Sequence, residues 1–158
     1  MSTRLVYADT SVYGGVFDDD FAPASRAFFV LVRSRRFELL VSDIVRREMG
    51  EAPQRVRRLF AELLPRMHVV PFDETVLALR GAYLSAGILG PQWAEDAGHV
   101  AAATVGGADL IVSWNFRHIV HFDKIRLYNA VNALRGHRAV EIRSPLEVID
   151  YGEEGEEV

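Results

Sequence analysis

Cysteine is absent from the 158 residues, which excludes disulfides and thiolate metal sites. No apolar run approaches the roughly 18 residues of a membrane-spanning helix, and the N-terminus lacks the pattern of a secretory signal peptide. Lys124 is the only lysine, and no glycine-rich loop ends in lysine, so a phosphate-binding P-loop is excluded. These absences predict a globular protein without a membrane partner, expected in the cytoplasm.

The charge is unevenly distributed along the chain. Four of the 22 acids lie in residues 152–158, which leaves 18 acids against 18 bases in residues 1–151. A neutral body lacks the general basic signature of a nucleic-acid-binding protein. We interpret residues 1–151 as one domain, because the length suits one core, and residues 152–158 as an acidic, disordered tail.

Short apolar runs alternate with helical segments. The first run, residues 4–8, shows no polar alternation, which is typical of a strand buried on both faces of a parallel sheet. Further strands are predicted at 37–41, 67–70, 109–113 and 139–142, with helices at 23–34, 43–49, 53–64, 73–86, 94–105 and 124–134. A short helical turn is predicted at 12–15, and a short turn or helix at 145–149. This alternation predicts an α/β domain whose parallel sheet of about five strands carries helices on both faces.

Oxygen-bearing side chains stand where the elements converge. Asp9 ends the first strand and Asn115 lies just beyond the fourth, at the edge where open α/β sheets bind ligands. Asp96 lies near the positive end of an alanine-rich helix, which keeps it ionised, and Glu48 can extend from a neighbouring helix. Three carboxylates and an amide form an anionic pocket that suits Mg²⁺ or Mn²⁺. Such a metal polarises a phosphate and lowers the pKa of a bound water.

A family resemblance rests on these residues and their spacing. Asp9-Thr10-Ser11 follows the first strand, Glu48 follows Ser42, Asp96 opens an alanine-rich helix, and Ser113-Trp114-Asn115 follows the fourth strand. In this order and context the chain, over residues 4–149, resembles PIN-domain nucleases and, among them, VapC toxins.

The resemblance implies a sheet ordered 3-2-1-4-5 and metal-dependent hydrolysis of RNA by a homodimer, often blocked by a cognate antitoxin in a type II toxin–antitoxin pair. It implies catalytic roles for Asp9, Glu48, Asp96 and Asn115, with the three acids as metal ligands. Asn115 stands where many members carry a fourth acid. Because an amide adds no charge, the number of metal ions stays open, and so does a degenerate, non-cleaving PIN domain that binds RNA or protein.

Each site residue also has a purely structural interpretation. Asp9 could cap the turn after the first strand, and Asp96 could favour its helix terminus. Thr10, Ser11 and Ser113 follow strands as turn formers, and each is a candidate to hydrogen-bond a metal ligand or a metal-bound water. His99, on the same helix face as Asp96, could contact a ligand carboxylate, although packing is the favoured interpretation.

Surrounding residues receive weaker assignments. Glu95 faces about 100° away from Asp96 on its helix and is interpreted as solvated. His118 and His121 could bind phosphate, but a role at a helix end on the surface is favoured. Tyr13 and Trp93 could stack an unpaired base, with core or dimer packing favoured.

Two interpretations extend to partners and to a competing class. The arginines of residues 46–58 could hold RNA phosphates, while a solvated face or an acidic partner is equally favoured. Apolar residues around Phe28, Phe29 and 59–64 exceed what one small core needs, which predicts a homodimer. An α/β phosphatase is the third class considered, and Ser11 stands where its second aspartate is expected.

Overall fold

The computed structural model describes residues 3–150, so the predicted acidic tail lies outside the described residues. The strands are β1 (Arg4–Ala8), β2 (Phe37–Ser42), β3 (His68–Val70), β4 (Leu110–Val112) and β5 (Glu141–Arg143). The helices are α1 (Thr10–Gly15), α2 (Ala22–Arg33), α3 (Asp43–Met49), α4 (Gln54–Leu63), α5 (Glu74–Ser85), α6 (Ala94–Val105), α7 (Phe122–Leu134) and α8 (Pro145–Val148). Short 3-10 turns, Leu64–Arg66 and Pro91–Trp93, precede β3 and α6.

The strands form one parallel sheet in the order β3-β2-β1-β4-β5. This confirms the predicted fold class and strand order. The order reverses between β1 and β4, where Ala8 pairs with Val112. Asp9 and Ser113 are the next residues of the two strands, so both leave the sheet at the same edge, which is where such folds bind ligands.

The central strand is buried, as its unbroken apolar run predicts. Val6, Tyr7 and Ala8 are fully buried between helices. The alanines of α6 pack close to the sheet, and the helix ends at Gly106, where a Cβ would lie 2.6 Å from Leu40 Cδ2. Glycine therefore permits the close approach that fixes α6, and with it Asp96, over the end of the sheet.

Helix ends follow the sequence signals closely. The Ser42 hydroxyl accepts a hydrogen bond from the Val45 amide, and Asp73 caps α5 through the amides of Thr75 and Val76. Gly87 adopts a left-handed conformation, with φ of 77°, just beyond α5. The predicted loop before α6 contains a 3-10 turn instead, and α7 begins at Phe122, two residues before the predicted start. Within residues 3–150 no helix is both long and apolar enough to cross a bilayer.

One premise from the sequence is wrong. Phe28, Phe29 and Leu59 do not form an apolar surplus on the surface, because all three lie in the core. Tyr13 is also fully buried, and its ring packs 5.2 Å from that of Phe29 and 5.4 Å from that of Phe60. Base stacking on Tyr13 is therefore excluded in this arrangement, and core packing is its role.

Candidate active site

Asp9 forms the buried centre of the polar cluster at the β1–β4 edge. Only 5% of the residue is exposed. It occupies the N-cap position of α1, yet its side chain makes no capping hydrogen bond. Its carboxylate instead accepts hydrogen bonds from the hydroxyls of Ser11, at 2.6 Å, and Ser113, at 2.7 Å. The capping interpretation of Asp9 is therefore wrong.

Backbone amides orient both serine hydroxyls. The amide of Trp114 donates to Ser11 Oγ and the amide of Asn115 donates to Ser113 Oγ, each at 2.9 Å. Because each serine oxygen already accepts a backbone hydrogen, its own hydroxyl proton is directed to Asp9. The two connections leaving β1 and β4 thus hold one carboxylate between them.

The surroundings of Asp9 do not compensate its charge fully. Burial raises the pKa of Asp9, and the negative charge of Glu48 adds to that increase, while the charge of His99 and the two serine hydroxyls oppose it. The direct partners are neutral hydroxyls, so ionised Asp9 carries a net desolvation cost. A bound cation would remove that cost, which makes Asp9 well suited as a metal ligand.

Glu48 extends from the last turn of α3 and is held on one oxygen. Its Oε1 accepts from the Thr10 hydroxyl at 2.7 Å and lies 2.8 Å from His99 Nε2. The other ring nitrogen of His99 lies 2.7 Å from the Tyr7 hydroxyl, which lies 2.7 Å from Ser42 Oγ. Glu48 is therefore held in place by a series of hydrogen-bonded, buried side chains, which are His99, Tyr7 and Ser42.

His99 and Glu48 each shift the pKa of the other. Burial alone would raise the pKa of Glu48, but the hydrogen bond and charge of His99, with smaller contributions from Thr10 and Arg47, lower it. Burial alone would lower the pKa of His99, but the hydrogen bond to Glu48 and the charges of Asp9, Glu48 and Asp96 raise it. His99 is therefore the shared counter-charge of all three carboxylates.

Asp96, in the first turn of α6, is held by a histidine as well. His118 Nδ1 lies 2.6 Å from Asp96 Oδ2. The amide of His118 donates to Asn115 Oδ1 at 2.9 Å, and its carbonyl accepts from the Tyr128 hydroxyl at 2.8 Å. The surface role predicted for His118 is wrong, because the side chain is buried and engaged.

The neighbouring acid lies outside this arrangement. Glu95 pairs with Arg47 at 2.8 Å, and both side chains are more than half exposed. Of the two consecutive acids, Asp96 is therefore the one joined to the polar cluster, and Glu95 remains at the surface.

One hydrogen-bonded path connects the two ends of the cluster. In order, its members are Asp96, His118, Asn115, Ser113 and Asp9. Thr10, the next residue after Asp9, continues the connection to Glu48. The structure thus brings the four predicted site residues into a single polar network at the edge of the sheet.

The network is not a closed metal cage. Among residues 3–150 no three histidine, aspartate or glutamate side chains are grouped so that they could hold a metal ion alone. Mg²⁺ commonly takes one or two protein carboxylates and completes its shell with water and substrate phosphate. The donor chemistry fits that mode of binding, with Asp9 as the carboxylate most in need of a cation.

Comparison with known proteins concerns the fold. No protein-family model and no curated protein matches the sequence. VapBC2 from Rickettsia felis, bound to a DNA fragment from its promoter, matches at a TM-score of 0.56 and 12% identity, over 89% of this chain and 98% of that chain. FitAcB from Neisseria gonorrhoeae matches at 0.56 and 15%, over 89% and 98%. FitAB bound to an IR36 DNA fragment matches at 0.56 and 16%, over 89% and 94%.

This chain has a PIN-like fold. At 12–16% identity the likeness extends to the fold and not to individual residues. The strand order reverses between β1 and β4, and the polar network lies at the edge where it does so. The network therefore identifies the candidate site by its own geometry.

Tyr7 was missed from the sequence, and His118 was named there but assigned to the surface. Tyr7 lies inside an apolar strand. A buried tyrosine hydroxyl needs a hydrogen-bond partner, so the presence of Tyr7 in this strand could have indicated a polar contact. His118 follows Asn115 by three residues, a spacing at which an asparagine side chain readily caps a turn. That turn is what directs the ring of His118 towards Asp96.

Proposed function

We propose that this protein is a metal-dependent endoribonuclease of the VapC type. The observation that carries the proposal is the buried Asp9 carboxylate, whose hydrogen-bond partners within residues 3–150 are all neutral hydroxyls and which belongs to one network with Glu48 and Asp96. The metal expected is Mg²⁺ or Mn²⁺, with Asp9, Glu48 and Asp96 as its candidate ligands.

The roles of the side chains follow from their contacts. A bound divalent cation would polarise the phosphate and supply an activated water. His99 and Thr10 engage Glu48 Oε1, and His118 engages Asp96 Oδ2; within residues 3–150 the second oxygen of each carboxylate makes no hydrogen bond and is available as a ligand. Asn115 acts indirectly, because its amide oxygen holds the backbone of His118.

The partners proposed are RNA as substrate and a cognate antitoxin, in the cytoplasm. The structures with this fold include VapBC2 and FitAB complexes on DNA fragments, which favours a toxin paired with a DNA-binding antitoxin. A small reading frame beside the gene, whose product co-purifies with this chain and inhibits cleavage, is the expected finding.

A homodimer is also proposed, on residues other than those predicted. Phe122, Leu127 and Leu134 on α7 are exposed by 76%, 49% and 86%. Covering such side chains removes apolar surface from water. Light scattering at high micromolar concentration is expected to give twice the monomer mass, and a monomer mass would contradict the proposal.

A non-cleaving PIN domain is the second candidate. The uncharged Asn115, whose side-chain oxygen is already engaged, and the lack of a three-ligand metal group among residues 3–150 favour it. Incubation of the purified protein with structured and unstructured RNAs in Mg²⁺, Mn²⁺ or EDTA separates the candidates. Cleavage in either metal that is lost in EDTA and in Asp9→Asn supports the nuclease, and binding without cleavage supports the alternative.

A further inference from the structure

A recess of about 230 Å³ lies directly beside the candidate active site. Its wall includes Trp93, Arg117, His118 and Lys124. His118 is the residue whose ring contacts Asp96 Oδ2 at 2.6 Å. The recess and the acidic network therefore share a side chain, so a ligand in the recess lies beside the network.

The wall combines an aromatic surface with positive charge. The Arg117 guanidinium lies 5.2 Å from the centre of the Trp93 ring, and that ring lies 4.5 Å from the ring of His118. Lys124 Nζ donates to the carbonyl of Ile88 at 3.4 Å, which places a second cation at the rim. No acidic side chain is among the residues that line the recess in the described part of the chain.

These features differ in sign from the network they adjoin. The network carries three carboxylates, which repel a polyanionic strand, whereas Arg117 and Lys124 attract phosphate. Arg117 is exposed, and Trp93 and Lys124 are partly exposed, so all three are accessible to a ligand. Unpaired bases stack on aromatic rings and on arginine planes, and stacking tolerates any base because each has a π face.

We propose that this recess binds one unpaired nucleotide of the substrate strand, adjacent to the phosphate that is cleaved. The base stacks on Trp93 and Arg117, and its phosphate lies against Arg117 and Lys124. The proposal rests on the proposed nuclease function only in that the bound strand is the substrate. The binding itself requires neither the metal nor cleavage. A paired base is not free to stack, so the recess selects single-stranded over double-stranded nucleic acid.

Tryptophan fluorescence provides a direct measurement. The chain contains two tryptophans, and Trp114 is buried with its indole donating to Ser25 Oγ at 2.8 Å. The protein carrying Asp9→Asn is titrated in EDTA with a short single-stranded oligoribonucleotide, which stays intact. Saturable quenching is expected, and Trp93→Phe in the same background is expected to abolish it.

Affinity is measured in parallel by fluorescence anisotropy. Trp93→Ala is expected to weaken binding roughly tenfold, from the loss of one stacked base. Arg117→Gln and Lys124→Gln are each expected to weaken it about threefold, from the loss of one phosphate contact. The matched control is Arg66→Gln, an exposed arginine before β3 at the opposite edge of the sheet, which is expected to bind as the parent does. Thermal unfolding checks that each variant is folded. If Trp93→Ala unfolds, the loss of quenching in Trp93→Phe tests the contact between the base and Trp93 instead.

Four results would overturn the assignment. Quenching that persists in Trp93→Phe would show that the base is not on Trp93. Equal weakening by Arg66→Gln would show diffuse electrostatic attraction, and equal affinity for a hairpin duplex would show that unpaired bases are not read. DNA of the same sequence is expected to bind equally well, because base and phosphate are the contacts; much weaker DNA binding would overturn that contact set.

Cleavage assays keep this proposal separate from the nuclease function. Wild-type protein that cleaves no RNA but binds it through Trp93 would refute the ribonuclease and retain the recess. Wild-type protein that cleaves RNA while its binding is indifferent to Trp93, Arg117 and Lys124 would refute the recess alone.

Discussion

The carboxylates of the network are held in two different ways. Asp9 is bonded by two neutral hydroxyls inside the protein, whereas Glu48 and Asp96 are each bonded by a histidine and are 30% and 25% exposed. The pKa of Asp9 is raised by burial, while that of Glu48 is lowered by His99. Asp9 is therefore the carboxylate of the network that has no histidine partner within residues 3–150, and we expect a metal to stabilise the network most at Asp9.

The largest expected effect is the loss of activity in Asp9→Asn. Removing a ligand weakens metal binding and so removes the stabilisation that the metal gives to the transition state. We expect cleavage in Mg²⁺ to fall at least about a hundredfold, which corresponds to about 2.7 kcal/mol of activation free energy. Since burial raises the pKa of Asp9, its ionisation disfavours the fold as the pH rises past the ordinary value of 3.8. The melting temperature of Asp9→Asn at pH 7 is therefore expected to equal or exceed that of wild type.

A matched pair of neighbours gives the control. Asp96→Asn is expected to lose cleavage as Asp9→Asn does, whereas Glu95→Gln, which disrupts only an exposed contact with Arg47, is expected to retain it. Equal activity in Asp96→Asn and Glu95→Gln would remove Asp96 from the site.

The second effect concerns the charge that His99 supplies. We expect His99→Gln to lower the free energy of unfolding by about 1–3 kcal/mol near pH 6, because it leaves buried polar partners unpaired. The His99 contribution is fully present below its ordinary pKa of 6.5 and is lost as the pH rises through the raised pKa of the folded protein. The Glu48 contribution is fully present above its ordinary 4.5 and is lost as the pH falls through its lowered pKa.

Urea unfolding across the pH range tests this directly. Wild type is expected to lose stability on the alkaline side relative to pH 6, and His99→Gln is expected to show a flatter profile there. Parallel profiles for the two proteins would show that His99 is not the shared counter-charge.

The third effect is a shift in pH dependence. The Ser113 hydroxyl lowers the pKa of Asp9 against burial, so Ser113→Ala is expected to raise it and to move the acidic limb of the rate profile to higher pH. Ser25→Ala is the matched control, since this buried serine bonds the indole of Trp114 instead. An unmoved acidic limb in Ser113→Ala would indicate that Asp9 does not govern that limb.

The smallest effect is expected at Asn115. Its amide accepts one neutral hydrogen bond, worth about 0.5–1.5 kcal/mol, so Asn115→Ala is expected to slow cleavage roughly threefold to tenfold. Asn115→Asp keeps an acceptor for the His118 amide and adds a negative charge, and is expected to tighten Mn²⁺ or Mg²⁺ binding in a metal titration. If Asn115→Ala is as inactive as Asp9→Asn, the amide contacts the metal. If only Asn115→Asp cleaves, the native chain is a non-cleaving PIN domain.

The sequence predicted the sheet because the relevant signals are local. The apolar run before Asp9, the N-caps Ser42 and Asp73, and the glycine at 87 mark element ends within a few residues. The strand order itself was expected only from the family resemblance, and with that order Asp9 and Asn115 lie at the same edge of the sheet. Such reasoning places side chains near one another without saying which atoms meet.

The serine and threonine hydroxyls were candidates from the sequence to bond the metal ligands, but which histidine contacts which carboxylate was beyond that reasoning. His99 shares a helix face with Asp96 but bonds Glu48, from a different helix, and His118 takes its place beside Asp96. Helical periodicity describes neighbours on one helix, whereas these pairings depend on how α3, α6 and the segment after β4 approach one another. Tertiary packing of this kind also placed Phe28 and Phe29 in the core, where the sequence suggested an interface.

The hydroxyl pair around Asp9 has a consequence for the order of assembly. Ser113 is 104 residues from Asp9, and Trp114 is 103 residues from Ser11, which it orients. Contacts of such long sequence separation carry a large loop-closure cost and cannot form before both segments have been synthesised. When β1 and β2 have just left the ribosome, β4 has not yet been synthesised. The Asp9 carboxylate therefore lacks its hydrogen bond from Ser113 until β4 has been made. The chemistry proposed for this edge therefore becomes available only after β4 and Ser113 have emerged, and the position of β4 along the gene sets that delay.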